Sequence, residues 1–172
     1  HGFGSSWVIP GTGIILNNRL TGFSLDPASP NIIEPGKRPA HTLNAFTAVN
    51  PDGTLHLVGG TPGANIQVQT NLQLIVNIVD LKMNVQEATE AARWQHLNAP
   101  GQSSLEETGS GVLEIENRVS TQVLDQLRAK GHDVKELAAW AHGSSVQLMQ
   151  VLPNKTYAFG SDPRCEGHAS GI

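Results

Sequence analysis

The sequence predicts an α+β fold in which helices pack on an antiparallel sheet. One observation is a β-hairpin signal, where Asp52-Gly53 separates two apolar runs. A second is a long apolar segment, residues 66–81, with the spacing of a helix. A third is the order of the elements, since predicted strands come in hairpins and do not alternate with helices. We therefore expect no series of βα units, and a single domain spanning residues 1–172.

The N-terminal segment combines short β-type pieces with a long irregular stretch. Trp7–Ile9 and Ile14–Leu16 are apolar and rich in β-branched or aromatic residues. Asn17-Asn18 ends the second piece. Residues 21–40 contain four prolines and show no regular apolar period, which predicts a loop. Loops of this length are either functional or plain surface segments, and the sequence leaves both possibilities open.

The hairpin and the helix that follows it are the clearest local unit. Strands are expected over Leu43–Val49 and Thr54–Val58. The next helix, over residues 66–81, should be buried along a stripe formed by Val68, Leu72, Ile75 and Val79 and widened by Leu74, Ile78 and Leu81.

Capping and turn signals place the remaining elements. Asn84, with Glu87 three residues later, resembles a capping box for a helix through Ala92. Ser120 is the expected cap of another helix, with Val123, Leu124 and Leu127 facing inward and Gly131 after its end. The other expected elements are an extended segment Trp94–Asn98, a polar segment over residues 99–111, a strand Val112–Ile115, and a hairpin of Val146–Leu152 with Tyr157–Gly160.

Composition excludes several classes of function. Hydrophobic residues make up 38% of the 172 residues and charged residues 15%, which is typical of a folded domain. The net charge is −4 without a basic cluster, so a nucleic-acid partner is not expected. The longest apolar stretch contains Gln73, Asn77 and Asp80, so no membrane span is predicted. The chain begins at His1 without a signal-like segment and resembles the interior of a longer polypeptide, so localisation stays unknown.

Motifs for cofactors are also missing from the sequence. The seven histidines are scattered, no pair has the spacing of a helical zinc site, and a single cysteine cannot form a thiolate site. Neither a phosphate-binding loop nor a Gly-x-Ser-x-Gly elbow is present. The expectation is therefore no metal and no cofactor.

Residues 57–65 have the one local pattern that suggests acyl-transfer chemistry. An apolar strand ends in Gly59-Gly60, a Pro62-Gly63 turn follows, and a helix begins. Backbone N–H groups at such a bend have no intrahelical partner, so they can hold a developing oxyanion. The same pattern also fits an ordinary strand-to-helix turn with glycines for close packing, and both interpretations stay open.

A few polar side chains next to irregular backbone are further candidates. Arg19 can hold a carboxylate with two hydrogen bonds, or it can be a surface arginine. His41 and Thr42 can line a pocket, or they can be ordinary turn residues. Asp162 and Arg164 are expected to form a structural ion pair. Cys165 lies beside Arg164 and is expected to have no chemical role.

Taken in order, several segments resemble one family. They are Phe3-Gly4-Ser5, Gly13–Asn18, Phe23-Ser24, Pro35–Pro39, Gly60–Gly63, Asn84–Trp94 and Ser161–Arg164. Together they resemble the small subunit of the γ-glutamyltransferases, nearly from one end of the chain to the other. The resemblance implies an N-terminal-nucleophile hydrolase with a four-layer αββα sandwich, built together with the large subunit of the same precursor.

The resemblance also implies how such an enzyme works. The precursor cuts itself, and the freed N-terminal Thr attacks an amide carbonyl with its own amine as base. In the family this Thr lies upstream of the segment that matches Phe3-Gly4, so we expect this chain alone to be inactive. The family's oxyanion-hole glycines match Gly63 and Ala64.

The substrate-binding positions of the family depart from its usual pattern in this chain. The acid that holds the substrate's α-amino group falls on Gly22, the neighbouring Gln on Arg19, and the Ser-Ser pair on His41-Thr42. An anionic acyl group without an amine therefore fits better than a γ-glutamyl group. The expected function is an amidohydrolase or acylase acting on a small-molecule amide. The alternatives are a true γ-glutamyltransferase acting on glutathione-like substrates and a non-catalytic scaffold; dimers of the two-subunit unit are possible.

Overall fold

The computed structural model describes residues 4–97 and 111–168. Two compact units divide the chain, residues 1–43 and 44–172. The strands are β1 Phe46–Val49, β2 Leu55–Gly60, β3 Trp94–Leu97, β4 Val112–Glu116, β5 Asp133–Leu137, β6 Gln147–Val151 and β7 Tyr157–Ser161. The α-helices are α1 Gln67–Ile75, α2 Val85–Glu90 and α3 Thr121–Ala129. The polar segment predicted over residues 99–111 lies almost entirely outside the described residues.

The first unit is mostly irregular, as the prolines predict. The two β-type pieces pair only through one antiparallel bridge, between Val8 and Ile15. Arg19–Gly22 forms a 3₁₀ turn directly after them. A second bridge, between Ser24 and Ile32, closes part of the predicted loop.

The second unit contains a four-stranded antiparallel sheet in the order β1-β2-β6-β7. Both predicted hairpins are confirmed, since β1 pairs with β2 and β6 pairs with β7. Gly53 has φ +82°, the left-handed backbone that the first hairpin turn requires. One face of the sheet is covered by helices, and the core there consists of Leu57, Leu74, Ile78, Val85, Ala88, Val146 and Leu148.

This sheet and its helices confirm the α+β prediction. They also correspond to one helical layer and one sheet of the αββα arrangement that the resemblance implies. On the other face of the sheet, Val58, Met149 and Phe159 line an open groove of about 500 Å³.

The second sheet has three strands in the order β3-β4-β5 and differs from the expectation of antiparallel pairing only. β3 and β4 are antiparallel, but β4 and β5 are parallel and are joined by α3. Strand β5 was not predicted, because Asp133–Leu137 carries three charged residues in five and has only two apolar side chains. The prediction that βα alternation is absent is therefore wrong for this segment.

The helix over residues 66–81 is confirmed, and so is the burial of Leu74 and Ile78, but the centre of the predicted stripe is wrong. After α1 the chain continues as a π-helix, Val76–Asp80. Val68, Leu72 and Val79 are exposed, and the buried side is formed by Gln67, Thr70, Asn71, Leu74 and Ile78. Periodicity finds a stripe, but polar residues share the buried side here, and among them the Asn71 amide donates to the Asn44 backbone carbonyl.

The other two helices follow their capping signals. The capping box of Asn84 and Glu87 is formed, and α2 ends two residues before the predicted Ala92. Ser120 caps α3, Leu124 is buried, and Gly131 has φ +92° after the helix. Val123 is exposed, so its predicted inward orientation is wrong.

Two glutamines on α1 cover the edge of strand β3. The Gln73 amide accepts the Trp94 N–H at 3.2 Å and donates to the Trp94 carbonyl at 2.9 Å. The Gln69 amide likewise accepts the His96 N–H at 2.8 Å and donates to the His96 carbonyl at 3.0 Å. Residues four apart lie on one face of a helix, and every second residue of an edge strand directs its backbone N–H and carbonyl to the same side. The two glutamine side chains therefore continue the hydrogen-bond ladder of the sheet along the edge of β3.

Replacing Gln73 with methionine is expected to destabilise the protein by about 2 kcal/mol. The change keeps side-chain length but leaves the N–H and carbonyl of half-buried Trp94 without partners, each worth roughly 1 kcal/mol or more. Urea denaturation measures the effect. Gln122→Met, at an exposed position of α3, is the control and should change stability by less than about 0.5 kcal/mol. Equal effects of the two variants would contradict the role of the ladder.

Candidate active site

The bend between β2 and α1 presents two unpaired backbone donors. β2 ends at Gly60, and a 3₁₀ turn over Ala64–Ile66 leads into α1. The Ile66 N–H donates to the Gly63 carbonyl at 3.1 Å and closes the turn. Within the described ranges, the N–H groups of Gly63 and Ala64 have no hydrogen-bond acceptor. Two adjacent amide donors of this kind can hold an oxyanion.

Both residues have backbone angles in the region that favours glycine. Gly63 has φ +138°, and a Cβ built there would meet the Ile66 side chain at 2.8 Å. Ala64 has φ +49°, although it carries a Cβ. A left-handed conformation costs a non-glycine residue about 1–2 kcal/mol, and such strain concentrates at functional sites. The backbone angles of the bend therefore differ from those of an ordinary strand-to-helix turn.

Replacing Ala64 with glycine is expected to stabilise the protein by about 0.5–1 kcal/mol. The substitution removes the Cβ that is unfavourable at φ +49°, and this gain exceeds the entropy that glycine loses on folding. A thermal melt gives the measurement. Ala129→Gly, at the last residue of α3, is the matched control and should lower stability, by up to about 1 kcal/mol. A lower melting temperature for Ala64→Gly would show that the bend carries no strain.

Four buried side chains of the second unit form a balanced ionic cluster of Arg93, Glu116, Asp162 and Arg164. Arg93 Nη1 lies 2.5 Å from Asp162 Oδ2. Arg164 contacts Glu116 at 2.6 Å and Asp162 at 2.9 Å. All four side chains are at most 2% exposed, with two positive and two negative charges. The predicted Asp162–Arg164 ion pair is thus present within a larger structural cluster.

Hydrogen bonding determines the charge of Glu116. Burial alone raises the pKa of this carboxyl, but hydrogen bonds from Arg164 and Arg118 outweigh burial and lower the pKa to about 2. Glu116 Oε1 also accepts the backbone N–H of His142 at 3.2 Å. The carboxylate therefore stays ionised and anchors three segments of the chain.

The His142 imidazole lies beside this cluster. Its Nδ1 is 2.7 Å from Ser144 Oγ, and the ring is buried. Burial, and then the positive charge of Arg93, lowers the pKa of His142 to about 4. The imidazole is therefore neutral at physiological pH. Sequence reasoning missed this residue because the charged groups beside it, Arg93 and Glu116, are distant in the chain.

The first unit contains a cavity of about 560 Å³ next to the 3₁₀ turn. It is lined by Leu16, Asn17, Arg19, Leu20, Arg38, Pro39, His41 and Leu43. Two of the predicted substrate-binding residues, Arg19 and His41, thus share one cavity, while Thr42 and Gly22 do not line it. Arg38 was not predicted; its signal was the basic pair Lys37-Arg38 just before His41. No lining residue carries a negative charge.

Gly22 is closely packed on the side where a side chain would project. A Cβ there would collide with the Ala40 carbonyl oxygen. The Asn31 amide binds the Gly22 carbonyl and, through its oxygen, accepts the Ala40 N–H at 3.1 Å. An acidic residue at position 22 would require this segment to move.

Other candidate chemistries have little support in the described part of the chain. No group of three or more His, Cys, Asp or Glu side chains is placed to hold a metal there. Helices in the same ranges are too short or too polar to cross a membrane. Cys165 is exposed.

Comparisons with known proteins test the resemblance of the whole sequence to one family. The sequence pattern of the family described as Gamma-glutamyltranspeptidase matches residues 1–172. The chain belongs to this family. The resemblance inferred from the sequence is therefore confirmed.

Individual members differ in the reactions that their names state. The oxamate amidohydrolase proenzyme of Klebsiella pneumoniae is 36% identical over 99% of this chain and 31% of its own length. The glutathione hydrolase proenzyme of Escherichia coli is 34% identical over 94% of this chain and 27% of its own. The chain thus spans about a third of these relatives. The solved structure of cephalosporin acylase from Bacillus halodurans matches with a TM-score of 0.77 and 30% identity, over 96% of this chain and 30% of that one.

Proposed function

We propose that this chain is the small-subunit part of an amide hydrolase or acylase that takes an anionic acyl group. The observation that carries the proposal is the cavity of the first unit, which is lined by Arg19, Arg38 and His41 and by no acid. Two guanidinium groups favour a carboxylate, since each can form paired charge-assisted hydrogen bonds. They disfavour the ammonium group of a γ-glutamyl substrate. The packing around Gly22 also leaves no space for the acid that would bind this ammonium group.

The reaction that we propose divides the chemistry between two parts of the precursor. An N-terminal Thr, supplied from outside these 172 residues, attacks the amide carbonyl and forms an ester with the acyl group as the amine leaves. Water then hydrolyses the ester. Gly63 and Ala64 donate their N–H groups to the oxyanion of each tetrahedral intermediate. Each such donor contributes about 10²–10³-fold to the rate in enzymes of this type.

The partner that follows from this proposal is the large subunit of the same precursor. The relatives named above as proenzymes support a cleaved precursor. Dimers of the two-subunit unit remain a further proposal, and no metal or cofactor is needed for the steps described.

A second candidate is a true γ-glutamyltransferase or hydrolase acting on glutathione-like substrates. The 34% identity to a glutathione hydrolase favours it. The absence of an acid from the lining of the cavity argues against it, because the substrate's α-ammonium group would face Arg19 and Arg38.

The test uses the full-length protein, with its upstream segment, after processing. Oxamate, glutaryl-p-nitroanilide and γ-glutamyl-p-nitroanilide are assayed side by side. We expect the two amides without an α-amino group to be hydrolysed, with kcat/KM about 10²-fold or more above that of the γ-glutamyl amide. Preferred γ-glutamyl turnover would support the second candidate. A single unprocessed chain without activity would instead indicate a scaffold protein.

A matched pair of arginine variants connects the result to the cavity. Arg19→Gln removes a charge from the lining and should lower kcat/KM for the anionic amide about 10-fold or more. Arg128→Gln, on exposed α3, removes the same charge far along the chain and should leave kcat/KM unchanged. Equal kcat/KM for both variants would contradict a role of Arg19 in recognition.

A further inference from the structure

Thr61 is a buried hydroxyl residue of the bend that has no part in the function proposed above. Thr61 is only 9% exposed. The hydroxyl donates to the Pro62 carbonyl at 2.6 Å and accepts the Ser145 N–H at 3.0 Å. It therefore connects the bend to the segment before β6, which is 84 residues away in the chain.

The bond to the Pro62 carbonyl has a consequence for the next N–H group. The Pro62 carbonyl and the Gly63 N–H belong to one planar trans peptide, in which the two groups point in opposite directions. A hydrogen bond that holds the carbonyl oxygen against Thr61 thus directs the Gly63 N–H away from Thr61. This N–H is one of the two unpaired donors of the bend.

Such a restraint matters because glycine follows the peptide. Gly63 has φ +138° and no Cβ to limit rotation, so little in its own backbone prevents the Pro62–Gly63 peptide from turning over. A turned peptide would present a carbonyl oxygen where the donor now lies, and an oxyanion would be repelled. The Ser145 N–H donates to the Thr61 hydroxyl oxygen and occupies one of its acceptor sites. The hydroxyl proton is therefore left to bind the Pro62 carbonyl.

We propose that Thr61 is a positioning residue of the oxyanion hole. It holds the Pro62–Gly63 peptide in the one orientation that presents the Gly63 N–H to a developing oxyanion. This inference rests on the proposed function, since it assigns the Gly63 N–H to the intermediates of amide hydrolysis. It predicts an effect in the transition state and little effect on substrate binding.

Three variants of the full-length, processed enzyme test the proposal. Thr61→Val keeps the shape but removes the hydroxyl, and Thr61→Ser keeps the hydroxyl. Thr70→Val is the matched control, because Thr70 is fully buried on neighbouring α1 and its hydroxyl has no partner in the described ranges. The substrate is whichever of the three amides the wild type hydrolyses fastest, and rates are normalised to processed protein.

The expected result separates kcat from KM. Thr61→Val should lower kcat about 10- to 100-fold with KM within about twofold of wild type, since a misplaced donor loses part of its contribution. Thr61→Ser should keep kcat within about threefold, and Thr70→Val should match the wild type. A Thr61→Val enzyme with wild-type kcat, or one in which KM alone rises, would overturn the proposal. So would a Thr61→Ser enzyme as slow as Thr61→Val.

Two further measurements keep the test decisive. If Thr61→Val does not fold, Thr61→Ala replaces it and is compared with Thr61→Ser by the same criteria. A crystal structure of the valine or alanine variant should show the Pro62–Gly63 peptide in a second orientation, and an unchanged peptide would overturn the positioning role. Wild-type protein that hydrolyses none of the amides would overturn the proposed function, whereas active wild type with unaffected variants overturns only the role of Thr61.

Discussion

Replacing Glu116 with glutamine is expected to destabilise the protein by about 3–5 kcal/mol. The carboxylate is fully buried and accepts hydrogen bonds from Arg164 at 2.6 and 2.7 Å and from Arg118 at 2.7 Å. Glutamine has the same shape but no charge, so the buried cluster would keep two arginines against the single acid Asp162. Removing one partner of a buried ion pair leaves an uncompensated charge, and that accounts for the size of the loss.

Glu136→Gln is the control for this prediction. Glu136 pairs with Arg128 at 2.8 Å, but both side chains are more than 40% exposed. Water replaces such a partner easily, so the same substitution should cost less than about 1 kcal/mol. Urea denaturation of the full-length protein, monitored by tryptophan fluorescence, compares the two. The Trp140 ring centroid lies 5.0 Å from the guanidinium carbon of Arg164, so this tryptophan is next to the cluster. Similar losses in both variants would show that the buried cluster is not a major source of stability.

Local signals predicted most of the second unit. Asp52-Gly53, the capping box of Asn84 and Glu87, and the Ser120 cap each depend on residues within a few positions of one another. Their effects on the backbone are therefore readable without the tertiary structure, and the elements they begin or end are found at the expected places.

The structural features that the sequence did not predict depend on tertiary contacts. The buried face of α1 contains the polar residues Thr70 and Asn71, and the Asn71 amide binds the Asn44 carbonyl, which is 27 residues away in the chain. Strand β5 has a weak apolar pattern and is held by parallel pairing to β4. The ionic cluster joins Arg93 to Glu116 and Asp162, far apart in sequence, and no local pattern identifies such partners.

In the candidate site, too, the local features were predictable and the tertiary contacts were not. The bend at Gly63 was predictable because glycine, proline and an apolar helix are adjacent in the sequence. The strained φ of Ala64 and the hydrogen bond from the Ser145 N–H to the Thr61 hydroxyl were not, because no local residue pattern identifies either of them. Arg38 became a candidate only when the cavity placed it with Arg19 and His41.

The free energy of unfolding is expected to fall by about 3 kcal/mol as pH decreases from 6.5 to 4, because of His142. Its pKa is lowered from 6.5 to about 4 in the folded protein. Between these values the unfolded chain binds a proton that the folded protein does not, so stability decreases as pH decreases. The fold hence loses roughly 1.4 kcal/mol per pH unit across this window. Burial of the ring and the positive charge of Arg93 lower the pKa of His142, and together they outweigh the attraction of Glu116, which raises it.

His142→Asn isolates this contribution, since asparagine retains an acceptor for the Ser144 N–H but does not titrate. Urea denaturation between pH 7 and 3 should show a flatter stability curve for His142→Asn above about pH 4.5. Below this pH both proteins should still lose stability, because the Glu116 pKa is lowered to about 2 and the unfolded chain takes up the proton first. His132→Asn, at an exposed position, keeps His142 and should retain the wild-type slope. A steep slope that survives in His142→Asn would assign the loss to other groups, and the neutral buried imidazole would then have no part in the acid sensitivity of the fold.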